Sequence, residues 1–562
     1  MRYRDFYSSL KLQRKAIIGL CTLIVALSTG SAARAEFKLT TDLKDGDKVH
    51  DISVVIAHAE SSDGIDKVEF FEDDQLKATA TGTPYKFTWD TIADTEGKHN
   101  IAITAYDSNG QTKKLTLALE IDNELPLGAV ALAKKAQAAL VANDTDAALA
   151  YSRRSTKAEP GNIEAARVTA ALAARDSDWT KAVASIEKSN GYDNNPDAIR
   201  ELAGYKLKMT LLPENAANFS SNLISIVDLR QKSADMSAAN TKATDPSNHL
   251  AIGDALLRAG NAKDAQLEYQ KAGDAMPLEL ANRVALAYAL QDNTELSIAY
   301  MRPRIADKMA DRVTRAIYGL CLLREQKFEA ARAAVAADLG SGYPAAEIIA
   351  AYADVVNGET AKAAAEAEAA VKAAPDAGDA HYVSSMTIRS LTDSEAELVR
   401  TISATPFASG PYVDFAARLA LQKPADRFDD AVKLVDFVLK REPDNTGAKL
   451  VRVLLLTARG RGKEVSESLD YVVRHNKAPD VKMVAAVYLT EQKQVGLANQ
   501  FWDEAVKADK VHFQFLVVPN PTQFLSTYER KQHYRAGFFL TFESLFPPKP
   551  VVVPVVPTEA GQ

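Results

Sequence analysis

The sequence predicts a multidomain chain in which a small all-β sandwich precedes an all-α superhelical solenoid. Three observations predict it. Between Glu36 and Asn123 apolar residues alternate with period two. After Pro126 they recur three and four apart, and there small and turn-forming residues return at an interval of ~34 residues. At 562 residues, 47% hydrophobic and 25% charged, the composition is globular, and with aromatics at 7% the cores must be built largely from Ala, Leu and Val.

Residues 1–35 read as a secretory signal. Arg2, Arg4, Lys11, Arg14 and Lys15 form a positive n-region, Ala16 to Leu27 is an apolar run, and Ala33-Arg34-Ala35 fits the small-x-small rule, with cleavage before Glu36. The run is short of the ~20 residues a membrane span needs; an uncleaved N-terminal anchor is the alternative. Leu20 before Cys21 does not suit a lipoprotein signal, and Arg14-Lys15 is not a twin arginine, which leaves general secretion. The expected location is extracytoplasmic: periplasmic, cell-envelope or secreted. Cleavage removes six basic residues and Asp5, leaving 61 basic against 73 acidic residues, a net of −12. Such a surface repels nucleic acid and anionic lipid. Cys321 is then the only cysteine, so no internal disulfide is expected, and it reads as a buried small apolar residue.

The β region, 36–123, shows its strands by alternation. Ile52, Val54 and Ile56 define one apolar face, as do Tyr85, Phe87 and Trp89, then Ile101, Ile103 and Ala105, then Leu115, Leu117, Leu119 and Ile121. Asp45-Gly46, Asp63-Gly64, Glu96-Gly97 and Asn109-Gly110 supply the turns. His50, His58 and His99 read as exposed strand histidines without the convergence a metal site needs, and Asp63 and Asp66 as turn residues rather than a calcium loop.

The stretch from Ile65 to Asp90, with Val68-Glu69-Phe70-Phe71 and Thr83-Pro84-Tyr85-Lys86-Phe87-Thr88-Trp89-Asp90, resembles a bacterial immunoglobulin-like domain. Gly97-Lys98-His99-Asn100-Ile101 and Ala105-Tyr106-Asp107-Ser108-Asn109-Gly110 are similar to that family's closing strands. The resemblance implies a spacer or an adhesive module on an exported protein.

From 127 to 511 the repeats are clearest at Pro246 to Pro277, with Gly253, Gly260-Asn261, Ala265, Tyr269 and Ala272. Small Gly253 and Ala265 suit a close crossing of two helices, Gly260-Asn261 turns the chain, Tyr269 fills space against the next unit, and Pro277 is expected to end the second helix. The pattern resembles the tetratricopeptide repeat. It returns at Ala148 and Pro160; at Trp179, Ala182 and Ile186; at Gly319, Phe328, Ala331 and Val335; at Gly358, Ala363, Ala367, Ala370 and Pro375; at Phe428, Ala431, Val435, Val438 and Pro443; and at Ala498, Trp502 and Ala505. That gives about ten units, with uncertain register in 195–246 and 376–410. The resemblance implies a concave groove that holds an extended peptide or a partner helix, and carrying its frame over puts Asp254, Arg258, Tyr288, Leu320, Arg324, Ile348 and Tyr352 on that groove. The Lys and Asn set with which some family members clamp a C-terminal carboxylate is not apparent.

Residues 512–546 leave the repeat frame. Phe524 to Phe546 reads as an aromatic amphipathic helix, expected to cap the last repeat; the alternative is membrane or partner docking through Phe538, Phe539, Phe542 and Phe546. The Pro/Val-rich tail, 547–562, favours an extended polyproline form. No nucleophile elbow, zinc-protease pair, phosphate loop or Cys-x-x-Cys occurs, so neither a catalytic residue nor a cofactor is expected. Gly460-Arg461-Gly462-Lys463 lacks the preceding strand of a phosphate loop and reads as a connector. Two functions remain open on this reading. One is an exported, non-catalytic scaffold holding protein or peptide partners of the cell envelope in the groove. The other is a surface adhesin or glycan-binding protein that uses the β domain, with the repeats as stalk. A hydrolase with an undetected site is a weaker third.

Overall fold

The computed structural model describes residues 37–547 except 213, 214, 216, 217, 274–276, 307–309, 422–426, 462–463, 465–468, 470–472, 474–478 and 509–537. The signal segment 1–35, the first part of the C-terminal segment and the tail from 548 onward lie outside the described residues. The chain divides into two compact units, Met1–Leu125 and Pro126–Gln562.

The first unit is a β-sandwich of eight strands: β1 (Lys38–Thr41), β2 (Lys48–Val49), β3 (Ile52–Glu60), β4 (Ile65–Glu72), β5 (Gln75–Ala80), β6 (Tyr85–Asp90), β7 (Gly97–Asp107) and β8 (Thr112–Ile121). One sheet has the order β1-β3-β6 and the other β2-β8-β7-β4-β5, antiparallel except for the short β2–β8 pair. The inner faces carry Tyr85, Phe87 and Trp89 against Phe70, Ile101, Ile103, Leu117 and Leu119. The structure corrects the phase of β3. Val55 and Ala57 are buried, whereas Ile52 and Val54 face solvent, 52% and 46% exposed. The reason is register. Val55 stands opposite Phe87 and Ala57 opposite Tyr85, so the aromatic strand decides which face of β3 turns inward; Val54 stands opposite the outward Thr88.

The second unit stacks helix pairs. The first half comprises α1 (Ala129–Val141) with α2 (Thr145–Ala158), α3 (Ile163–Arg175) with α4 (Trp179–Glu187), α5 (Pro196–Thr210) with α6 (Phe219–Thr244), α7 (His249–Arg258) with α8 (Ala262–Lys271), and α9 (Leu278–Leu290) with α10 (Thr294–Ala306). Then follow α11 (Arg312–Arg324) with α12 (Phe328–Val335), α13 (Pro344–Val356) with α14 (Thr360–Ala373), α15 (Gly378–Thr387) with α16 (Leu391–Ala404), and α17 (Gly410–Leu421) with α18 (Phe428–Arg441). After α19 (Thr446–Ala458) comes the last described pair, α20 (Pro479–Glu491) with α21 (Val495–Ala508).

Short polar residues start these helices. Asp144, Asn162, Asp178, Asn195, Asn248, Asn261, Asp311 and Asn445 each accept a hydrogen bond from the backbone N–H three residues on, worth about 1 kcal/mol apiece. Gly253 has the role expected of it: a Cβ there would come within 2.3 Å of the Tyr269 ring, which is fully buried against it. Pro277 does not end α8, which stops at Lys271; it stands at the N-cap of α9, where its missing N–H costs nothing. The long spacing in 195–246 is taken up by α6, a helix of 26 residues.

That long helix closes the array on itself. α6 packs on α16 and α18 from the far part of the sequence. Phe219 meets Phe415 edge-on at 5.7 Å, the Arg427 guanidinium lies 4.7 Å from the Phe219 ring centre, and Ser220 donates to the Asp430 carboxylate. The interior of this closed turn is faced by α7, α9, α11, α13 and α15.

Candidate functional site

The groove on the inner helices holds a segment of the same chain. Residues 538–541 are non-helical, and Phe542–Leu545 form a single helical turn. Phe538, Phe539, Leu540, Phe542 and Leu545 are all buried among groove side chains. This differs from the cap expected at the last repeat: the described part of the C-terminal segment lies against α7 and α13, at the middle of the array.

The contacts run along the segment. The Phe538 ring meets Tyr352 edge-on at 4.9 Å and Phe328 at 6.3 Å. Its carbonyl accepts from Arg324, Nε at 3.1 Å and Nη2 at 2.9 Å, while Arg324 Nη1 is held by the Ala289 carbonyl and Asp292. Burial holds the Arg324 guanidinium below its ordinary pKa. Phe539 stacks on Tyr382 at 5.6 Å. Thr541 donates its backbone N–H (2.7 Å) and its hydroxyl (3.0 Å) to Asp379, and the Ser544 hydroxyl donates to the same carboxylate at 2.7 Å. Thr541 in turn caps the terminal turn by accepting from Ser544 N–H. Arg258 lies 4.0 Å from the Phe542 ring centre and pairs with Glu543 at 3.2 Å. Arg283 lies 4.6 Å from the Phe546 ring and is fixed by Asp254 at 2.7 Å, which also accepts from the Tyr269 hydroxyl. The Tyr343 hydroxyl donates to the Leu545 carbonyl at 3.0 Å.

Asp379 is the polar centre of this arrangement. It has no exposed surface, and burial pushes its carboxyl up to about 6 even though the hydrogen bonds from Thr541 and Ser544 act in the opposite direction. Gly378 lets α15 approach α16 here, since a Cβ at that position would meet Thr405 at 2.7 Å. The chemistry is that of peptide recognition: aromatic anchors in pockets, main-chain groups held by Arg and Tyr, and one acid beside a cation.

The seven residues placed on the groove by sequence divide into three groups. Arg258, Arg324 and Tyr352 touch the segment directly, and Asp254 acts by holding Arg283. Leu320 and Ile348 are fully buried in the interhelical core. Their positions on α11 and α13 point between helices, where apolar surface is best removed from water. Tyr288 stacks on Tyr300 of α10 at 5.5 Å and accepts from Gln266 of α8 at 3.0 Å, so it belongs to the second helices rather than to the groove. The sequence reading missed Arg283, Tyr343, Asp379 and Tyr382.

In the β unit, His99 is buried, not exposed. Its Nε2 donates to the Thr95 carbonyl at 2.8 Å and its Nδ1 faces Asp73 at 2.8 Å and Glu72 at 3.1 Å. These three side chains bring ligand atoms within 4.8 Å of one another. Both ring nitrogens are occupied as donors, however, and Lys77 holds Glu72 at 2.9 Å, so the group is an ion-pair network. Burial opposes the charged imidazole, but the Thr95 carbonyl and the carboxylates outweigh it and raise the His99 pKa. Cys321 is free and buried, its thiol pushed up to about 11 by burial.

Residues 30–103 match the family model of a bacterial Ig domain, a type of domain typical of extracytoplasmic proteins. Among solved structures, fibronectin(III)-like modules of Clostridium thermocellum CbhA are similar at 22% identity over 15% of this chain and 97% of theirs, with a TM-score of 0.14. The APC/C hetero-tetramer Cut9-Hcn1 is similar at 10% identity over 72% of this chain and 94% of that one, with a TM-score of 0.37. No curated protein matches the chain. The chain is thus a β-sandwich that matches a bacterial Ig domain, followed by a stack of paired α-helical repeats. Among the described residues no helix is long and apolar enough to cross a membrane.

Proposed function

We propose that the protein is an exported, non-catalytic scaffold that binds protein or peptide segments of cell-envelope partners in the groove of its helical array, with the β domain as spacer. One observation carries this reading: the groove already seats a stretch of polypeptide, residues 538–546, through Asp379, Arg324, Arg258 and Tyr343 together with aromatic pockets. A partner segment would use the same contacts: two adjacent aromatic anchors, a Thr or Ser that caps a short turn on Asp379, and an acidic residue for Arg258. The signal-like segment 1–35 and the bacterial Ig domain support export.

The test is direct. A chain ending at 537 is titrated with a synthetic copy of residues 538–546, and with copies in which Thr541 or Phe538 is Ala. Saturable binding that falls with either change, and with Asp379→Asn in the protein, is the expected result. Absence of binding by a chain whose circular dichroism and melting match the parent's would overturn the reading.

A further inference from the structure

The interior of the closed turn also holds a cavity that peptide recognition does not account for. It lies where α5 and α6 face α15 and α16, beside residues 540–543, and measures about 730 Å³. That is within the ~300–1,000 Å³ of small-ligand sites. Five cations line it, Arg200, Lys208, Arg230, Arg258 and Arg400, against three acids, on a chain whose net charge is −7. Two of the acids are engaged: Glu201 with Arg167 at 2.6 Å and Glu543 with Arg258 at 3.2 Å. The third, Asp376, supports the charge on Arg230 through space.

Among the cations that line the cavity, Arg230 has a nitrogen that the fold leaves without an acceptor. Its Nε is buried and has no hydrogen-bond partner among the described residues. Burial and the nearby Arg200 both work against its charge. A buried guanidinium N–H without an acceptor is unfavourable, and the planar fork suits an oxyanion that would bind two of its N–H groups. Lys208 is exposed at the same cavity and likewise lacks an ion-pair partner among the described residues. Arg200 is shared only with Asp197, an exposed pair that a stronger anion can displace.

We propose that this cavity binds a small ligand carrying at least two oxyanion groups, carboxylate or phosphate, one on Arg230 and another on Lys208 or Arg200. Residues 540–543 form one wall of the cavity. The proposal is independent of whether the groove takes a partner's peptide.

Thermal unfolding of the mature full-length chain is followed with citrate and with pyrophosphate, each against sodium chloride of equal ionic strength. A saturable rise in Tm with at least one of them is expected; a response to citrate assigns a carboxylate ligand and a response to pyrophosphate a phosphate ligand. Arg230→Met removes the response while the ligand-free Tm stays level or rises, because an unsatisfied charge has gone. Lys208→Gln, at an exposed position that the fold does not need, weakens the affinity roughly tenfold, the loss of one charge-assisted hydrogen bond. No rise with either anion beyond that of chloride, or an equal rise in Arg230→Met, overturns the proposal.

Discussion

Replacing Phe538 by Ala separates the groove from its occupant without touching a groove side chain. The Phe538 ring is 2% exposed and packs edge-on against Tyr352 and Phe328. Truncating a buried Phe costs about 3–5 kcal/mol. Here the lower figure applies, because the vacated pocket opens to water once the segment leaves. About 3 kcal/mol corresponds to roughly a hundredfold change in the ratio of docked to undocked segment. The assay is fluorescence anisotropy of a labelled, solubilised copy of residues 538–546, titrated with the mature full-length protein and with Phe538→Ala. In the parent the tethered segment excludes the peptide; in the variant the wild-type peptide binds, with an apparent affinity raised by up to the same factor. Because the segment docks only on the folded array, the array loses at most the same docking free energy. Equal peptide binding by parent and variant would refute the reasoning.

Three further outcomes follow from the geometry. Docking of the segment should depend on pH through Asp379: its carboxyl is held near 6 when the segment covers it, above the ordinary ~3.9, so the docked state binds a proton more tightly than a solvent-exposed Asp379 would. Docking is then strongest below the ordinary carboxylate range, weakens as pH rises through about 6 and is flat above, measured by protease sensitivity of the segment between pH 4 and pH 8; a profile unchanged in Asp379→Asn would count against it. Gly253→Ala forces a Cβ to 2.3 Å from the Tyr269 ring and should lower array stability by about 1–3 kcal/mol in urea unfolding. In the β unit Val55→Thr should cost about 1–3 kcal/mol by burying a hydroxyl, whereas Val54→Thr should stay within about 0.5 kcal/mol; the reverse order would mean the other face of β3 is inside.

Much of the architecture was legible because it rests on local rules. The switch from period two to period three and four separates the sandwich from the array. The close helix crossing at Gly253 was readable because it lies within one repeat, although the ring that fills it is Tyr269, expected instead against the next unit. What failed were choices that only long-range pairing makes. β3 carries apolar residues on both faces, Ile52 and Val54 on one, Val55 and Ala57 on the other, and the register with Phe87 selects between them. The groove residues Arg283 and Asp379 are recognisable only through residues 542–546 and 541–544, which lie 165 residues away for Asp379 with Ser544 and still farther for Arg283 with Phe546. Nothing in a repeat frame says that a distant segment of the same chain returns to the middle of the array. The occupant also explains why Leu320 and Ile348 misled: an inner-helix apolar residue can serve the stack or the groove, and spacing alone does not distinguish the two.

Self-occupancy sets a threshold for any partner. The 29 residues between Ala508 and Phe538 keep the segment on the same molecule as the groove, at an effective concentration on the order of millimolar for a short connection. A peptide with the same contacts, presented free in solution at micromolar level, therefore loses the competition by roughly a thousandfold even at equal intrinsic affinity. A partner overcomes this in one of two ways. It can make contacts that residues 538–546 do not make, for which the unsatisfied Arg230 and Lys208 beside Glu543 are the available groups, or it can meet the groove when the latch at Asp379 is weak, above about pH 6. An acidic extension of the partner segment beyond the position of Glu543 tests the first route: it should gain affinity over the native nine residues in the parent protein and lose that gain, but not its basal binding, in Arg230→Met. If both peptides respond alike to Arg230→Met, the cavity plays no part in partner selection and the threshold must be crossed through the latch alone.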